Sequence, residues 1–135
     1  MVLRQQARPG DPVVSILGRH LLVDLHECDP ERLHDPDSVE QALLDAARAS
    51  GATILGHQFH RFQPHGVSGV VLIAESHLSI HTWPEHGYAA VDFFTCGPGM
   101  RPEVGVDVLT AAFGCRRAEV NEVRRGTGGF APAER

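Results

Sequence analysis

Residues 67–97 read VSGVVLIAESHLSIHTWPEHGYAAVDFFTCG, and their pattern predicts three consecutive strands. VSGVVLIAE is a nearly continuous apolar run rich in Val and Ile, as a central strand buried on both faces would be. HLSIHTW alternates apolar and polar residues, the period of a half-buried strand, and YAAVDFFTC makes a further one. Pro84 and Gly87 mark the turn between those two. Connections this short make neighbouring strands antiparallel, because a parallel crossover needs a dozen residues or more.

Working outward, SILGRHLLVDLHEC from Ser15 sets Leu21, Val23 and Leu25 against His20, Leu22, Asp24 and His26, again a half-buried strand. DPERLHDPDS breaks it with two Pro and predicts a loop. Ser38 is then expected to open a helix through a capping box with Gln41. Val39, Ala42, Leu43, Ala46 and Ala47 would form its apolar stripe, and Gly51 its left-handed end. ATILGHQFHRF predicts a strand and PHG a turn. Beyond GPGM, Pro102 suits a helix start and Gly114 its end, with Gly105 weakening that helix by about 1 kcal/mol relative to Ala. RRAEVNEVRR predicts a last strand at a polar edge, while residues 1–14 and GTGGFAPAER read as a flexible arm and a mobile tail.

The expected order is β-α-β-β-β-β-α-β. It defines an α+β fold in one domain over residues 1–135: a two-layer α/β sandwich, with a mostly antiparallel sheet and both helices on one face. The other face must then be covered, and a second copy of the same sheet is the expected cover.

Composition narrows the function. The chain has 135 residues, 42% hydrophobic and 21% charged, which is globular usage. A formal charge of −5 offers no basic footprint for nucleic acid and suits a small cationic ligand better. Cys28, Cys96 and Cys115 make no paired framework, so reduced thiols in a cytoplasm are expected. No signal-peptide core and no apolar run of membrane-spanning length is legible.

The chemistry gathers where the buried strand ends, at Glu75-Ser76-His77. A hydroxyl held against the preceding carbonyl can attack it and turn the Glu75–Ser76 amide into an ester. Elimination of that ester and hydrolysis of the dehydroalanine leave a pyruvoyl group. Its ketone condenses with a substrate amine and draws off the electrons of a breaking C–C bond. Taken alone, Ser76 could equally be an ordinary loop serine.

With LGRHLLVDLHECD, SGATI and FHRFQPHGVSGVVLIAESHLSIHTWPEHGYAAVDFFTCG in view, the chain resembles the bacterial proenzymes of S-adenosylmethionine decarboxylase, strongly over residues 17–97. The resemblance implies self-cleavage at Ser76 into a β chain, 1–75, and an α chain, 76–135. It further implies that Ser68 and His81 assist processing, that Cys96 is the catalytic proton donor, and that the cofactor is the covalent pyruvoyl group. Phe62 and Trp83 would sandwich the adenine of S-adenosylmethionine, Glu85 would accept from the ribose hydroxyls, and Leu78 would touch the ligand through its backbone. The family site lies where two protomers meet, with Phe62 supplied by the neighbour, so a homodimer or higher assembly is implied.

The residues themselves leave alternatives. His77, His81 and Trp83 share one face of their strand, yet His81 also fits a hydrogen-bonded core histidine, Cys96 a buried filler, Phe62 and Trp83 core aromatics, and Glu85 a solvated turn residue. A metal module is not expected, since His57 and His60, three apart on a strand, face opposite ways. The same pyruvoyl chemistry on arginine or ornithine is the alternative function. An unprocessed paralogue is a third reading, opposed by the set of Ser76, His81 and Cys96.

Overall fold

The computed structural model describes residues 2–4 and 16–130. In chain order the elements are β1 (Val2–Arg4), β2 (Gly18–His26), α1 (Pro30–His34), α2 (Pro36–Ala49), β3 (Thr53–Arg61), β4 (Val67–Ala74), β5 (Ser76–Trp83), β6 (Tyr88–Thr95), α3 (Pro102–Ala112) and β7 (Arg117–Arg125). A 3-10 turn, Pro84–His86, joins β5 to β6. The strands form one sheet in the order β1-β7-β2-β6-β5-β4-β3. Every pairing is antiparallel except that of β1 with β7. The meander expected from residues 67–97 is β4–β5–β6, with Ser76 opposite Ile73 on one side and Thr95 on the other.

The helices cover one face. Leu21, Val23, Leu25, Val71, Ile73, Leu78, Ile80, Val91 and Phe93 are buried there against the stripe of α2, Val39, Ala42, Leu43, Ala46 and Ala47. Thr82, the one polar residue of β5 that is buried, is satisfied twice: its hydroxyl donates to the Leu33 carbonyl at 2.8 Å and accepts from the Val67 N–H at 2.9 Å. That pair ties α1 to the mouth of the β4–β5 hairpin.

Several expectations need correction. DPERLHDPDS is not a loop, because each Pro stands at the first position of a helix, where its missing N–H costs nothing. Asp29 caps α1 and Asp35 caps α2, so α2 starts before Ser38, whose hydroxyl instead donates to Asp35. Gln41 bonds Asp45 and makes no capping box. Strand β7 is not an edge, since β2 pairs along its whole length and β1 along Ala118–Val120. Within the expected arm, Val2–Arg4 is that strand; residues 5–14 of the arm and 131–135 of the tail lie outside the described residues. Strand β4 is flanked by strands on both sides but covered on one face only, leaving Leu72 53% exposed.

Gly105 has a role that helix propensity does not reveal. A Cβ there would stand 2.4 Å from Ser50 Oγ and 2.6 Å from the Phe93 ring, so the bare Cα lets α3 lie directly on α2 and the sheet. Among the described residues no helix is long and apolar enough to cross a membrane.

Candidate active site

The face without helices is concave, with a trough of about 850 Å3 whose lining includes Leu22, Asp24, Ser68, Ser79, His81 and Asp92. Period-two alternation puts His77, Ser79, His81 and Trp83 of β5 on this side, while Leu78, Ile80 and Thr82 turn to the core.

The residues singled out in the sequence fall into two groups. At one end of β5, Ser76 opens the strand directly after the turn made by Ala74 and Glu75, whose joining peptide is cis. The Cys96 N–H donates to the carbonyl of Glu75 at 3.0 Å, and Ser76 Oγ lies 3.2 Å from His77 Nδ1. At the other end, Ser68 Oγ is 2.5 Å from His81 Nδ1, in agreement with the register that pairs these residues. The Trp83 ring lies 4.1 Å from His81 and the Phe62 ring 5.8 Å from it, centroid to centroid. Phe62 is 41% exposed, and Glu85 is exposed on the 3-10 turn that follows Trp83.

Ser76 and His81 are five residues apart on one strand, roughly 16 Å at the rise of an extended chain. The structure therefore does not bring His81 to the Ser76 of its own chain. Leu78 is fully buried, its side chain on the helix side and its strand paired on both flanks through Val71 and Phe93, so the structure leaves no part of it open to a ligand.

A third group was missed by sequence reasoning. Asp92 accepts from His20 Nε2 at 2.6 Å, from His77 Nε2 at 3.2 Å and from the Ser79 hydroxyl. Its position opposite Ser79 in the β5–β6 register, on the same face as His77, is the signal that identifies it once strand pairing is known. His20, His77 and Asp92 offer ligand atoms within 4.8 Å of one another, which could hold a metal ion. The other histidines do not join them: His57 pairs with Glu40 at 2.7 Å and His60 lies against Phe62.

Of the three free cysteines, Cys28 and Cys115 are occupied with each other. Their shared hydrogen bond raises Cys28, with burial adding to the rise, and lowers Cys115. Cys96 alone lies beside Ser76.

An α+β two-layer sandwich whose open face carries paired imidazoles and a thiol, with a serine beside them at the turn of a hairpin, is an enzyme framework, and comparison gives it a family. Residues 19–126 match the family described as S-adenosylmethionine decarboxylase. The chain is 53% identical over 110 residues to the S-adenosylmethionine decarboxylase proenzyme of Thermodesulfovibrio yellowstonii, covering 82% of each chain. It is 49% identical over 119 residues to the proenzyme of that name from Pseudomonas aeruginosa, covering 88% of this chain and 74% of that one. The crystal structure of the adenosylmethionine decarboxylase from Aquifex aeolicus superposes with a TM-score of 0.78 at 35% identity, over 88% of this chain and 98% of that one. The chain belongs to the S-adenosylmethionine decarboxylase family.

Proposed function

We propose that this chain is a proenzyme that cuts itself between Glu75 and Ser76 and then decarboxylates S-adenosylmethionine, yielding the aminopropyl donor for spermidine synthesis. The observation that carries the reading is the turn of the β4–β5 hairpin. There the Glu75 carbonyl is held by the Cys96 N–H while the hydroxyl of the next residue, Ser76, faces an imidazole. Those are the parts an acyl shift from nitrogen to oxygen requires, and relatives about half identical bear the name proenzyme. Cleavage would give chains 1–75 and 76–135.

A pyruvoyl group made from Ser76 needs no separate binding site, since it is built from the backbone that this hairpin already holds. It supplies an electron sink for the pair released as CO2 departs. The residues around it would do the rest. Cys96 keeps a proton within reach of the substrate carbon, and Phe62 and Trp83 stack the adenine, their π faces also favouring the sulfonium charge. Glu85 accepts from the ribose hydroxyls.

The roughly 16 Å between Ser76 and His81 supports a site shared by two copies. Packing two open faces about a two-fold axis that crosses the strands would set Phe62, Ser68, His81 and Trp83 of one protomer against Ser76 and Cys96 of its partner, twice per dimer. Leu22, Phe62, Leu72 and Val123, each more than 40% exposed on that face, would be buried by the same step. The three free cysteines support a reducing, cytoplasmic setting, and a charge of −5 supports a small cationic substrate over nucleic acid.

Intact mass spectrometry of freshly purified protein tests the reading. Two fragments are expected, the larger-numbered one with a blocked N-terminus, and Ser76→Ala is expected to stay a single chain of 14.7 kDa. An unbroken wild-type chain, or CO2 released from arginine or ornithine and not from S-adenosylmethionine, would overturn it.

A further inference from the structure

We infer that His77 is the base that starts self-cleavage, and that Asp92 holds it in the tautomer this requires. The inference rests on the reading that the chain cuts itself at Ser76, and it assigns the acceptor of the proton that leaves the Ser76 hydroxyl as its oxygen attacks.

The hydrogen bonds determine the tautomer. An ionised carboxylate only accepts, so the imidazoles that meet Asp92 through Nε2, His77 at 3.2 Å and His20 at 2.6 Å, each place a proton there. His20 confirms the assignment from its other nitrogen, because Arg125 donates to its Nδ1 at 3.0 Å, which leaves no room for a proton on that atom. Neutral His77 then has a bare Nδ1, and the group facing it at 3.2 Å is Ser76 Oγ. Ring packing holds the pose. His77 stacks on Phe94 at 5.8 Å and 15°, His20 meets the same ring edge-on at 4.9 Å, and the Arg125 guanidinium lies 5.5 Å from it.

His81, the histidine the resemblance connects with processing, does not compete for this task within the chain. Its Nδ1 is engaged by Ser68, and it stands five residues further along the strand. The two histidines thus divide the chemistry, His77 serving the first step in cis.

In that step the Ser76 Oγ proton passes to His77 Nδ1 as the bond from Oγ to the Glu75 carbonyl carbon forms. The negative charge appears on the Glu75 oxygen, to which the Cys96 N–H already points. The C–N bond then breaks and His77 returns the proton to the Ser76 nitrogen, giving an ester and a free amine with no net gain or loss of protons. While His77 carries the extra proton, Asp92 stabilises the imidazolium.

Splitting of the full chain, followed on denaturing gels during cell-free translation, tests the assignment. His77→Ala should split about 10²- to 10⁴-fold more slowly than wild type, and added imidazole should restore part of the rate. Asp92→Asn, which turns an acceptor toward a mixed donor, should be slow without rescue by imidazole. Melting temperatures and His77→Gln, which keeps bulk in place of the ring, separate chemistry from misfolding. His77→Ala splitting at the wild-type rate overturns the proposal while leaving Ser76 cleavage intact. A slow His77→Ala that melts early and ignores imidazole overturns it too. A wild-type chain that never splits instead overturns the reading beneath it.

Discussion

The backbone N–H of Cys96 donates to the carbonyl oxygen of Glu75 across 3.0 Å, so the end of β6 grips the peptide unit that precedes Ser76. Because the grip is main-chain, it separates two roles of one residue. Cys96→Ala keeps the N–H and is expected to split normally, yet to turn over slowly or protonate the wrong carbon for want of the thiol. Cys96→Pro removes the donor, and loss of one such donor typically costs 10²–10³ in rate. Gel assays of splitting, with steady-state rates measured on the split protein, check both halves. A Cys96→Ala chain that cannot split would count against the backbone role.

The distance between the two ends of β5 makes a quantitative prediction for mixed assemblies. Ser76→Ala lacks the first cluster and His81→Ala the second, so each alone should be inactive. Co-expressed in equal amounts and paired at random, half the dimers are mixed and each holds one intact site, which gives about a quarter of wild-type activity. Activity of the mixture no higher than that of the single variants would mean that each chain builds its own site.

Tyr88 is the only tyrosine, so phenolate absorbance reads it alone. Burial first, and then its hydrogen bond to Asp24, push the phenol up to about 12. Its unfolded counterpart ionises near about 10. The folded value is the raised one, so its contribution to stability is complete below about pH 10 and is lost as pH climbs through about 12. Spectrophotometric titration should show the late midpoint, and Asp24→Asn should move it downward. An unshifted midpoint in that variant would remove Asp24 as a cause.

Gly105→Ala sets two effects against each other. Helix propensity alone predicts a gain of about 1 kcal/mol. The new methyl, however, would meet Ser50 Oγ at 2.4 Å, Phe93 at 2.6 Å and the Ala46 carbonyl at 2.9 Å, two of them fixed by α2 and the sheet. Overpacking of this kind costs about 1–3 kcal/mol. A net fall in melting temperature is expected, and calorimetry showing a rise would mean that α3 can shift away from α2.

The sequence by itself determined the elements whose cause is local. The alternation of Leu21, Val23 and Leu25, the turn at Pro84 and Gly87, the apolar stripe of α2 and the helix ends at Gly51 and Gly114 all rest on periodicity or on a backbone angle that glycine accepts, with φ of +89° at Gly51 and +63° at Gly114. The resemblance carried by residues 17–97 likewise pointed to Ser76, His81 and Cys96 as parts of one chemistry.

Tertiary structure alone decided which of those parts stand together. Strand pairing put Asp92 opposite Ser79 and beside His77 and His20, residues separated by as many as 72 positions, and no local pattern encodes such a meeting. The same pairing drew Cys96 to Glu75 and left His81 at the far end of β5, with Ser68 and not Ser76 as its neighbour. Proline shows the contrast at short range: Pro30 and Pro36 read as breaks in isolation, yet each begins a helix because the aspartate before it caps the first turn and the core receives Leu33 and Val39. Local propensity sets what a segment is able to form, but long-range burial and hydrogen bonding select the partner, and reactivity here resides in the partners.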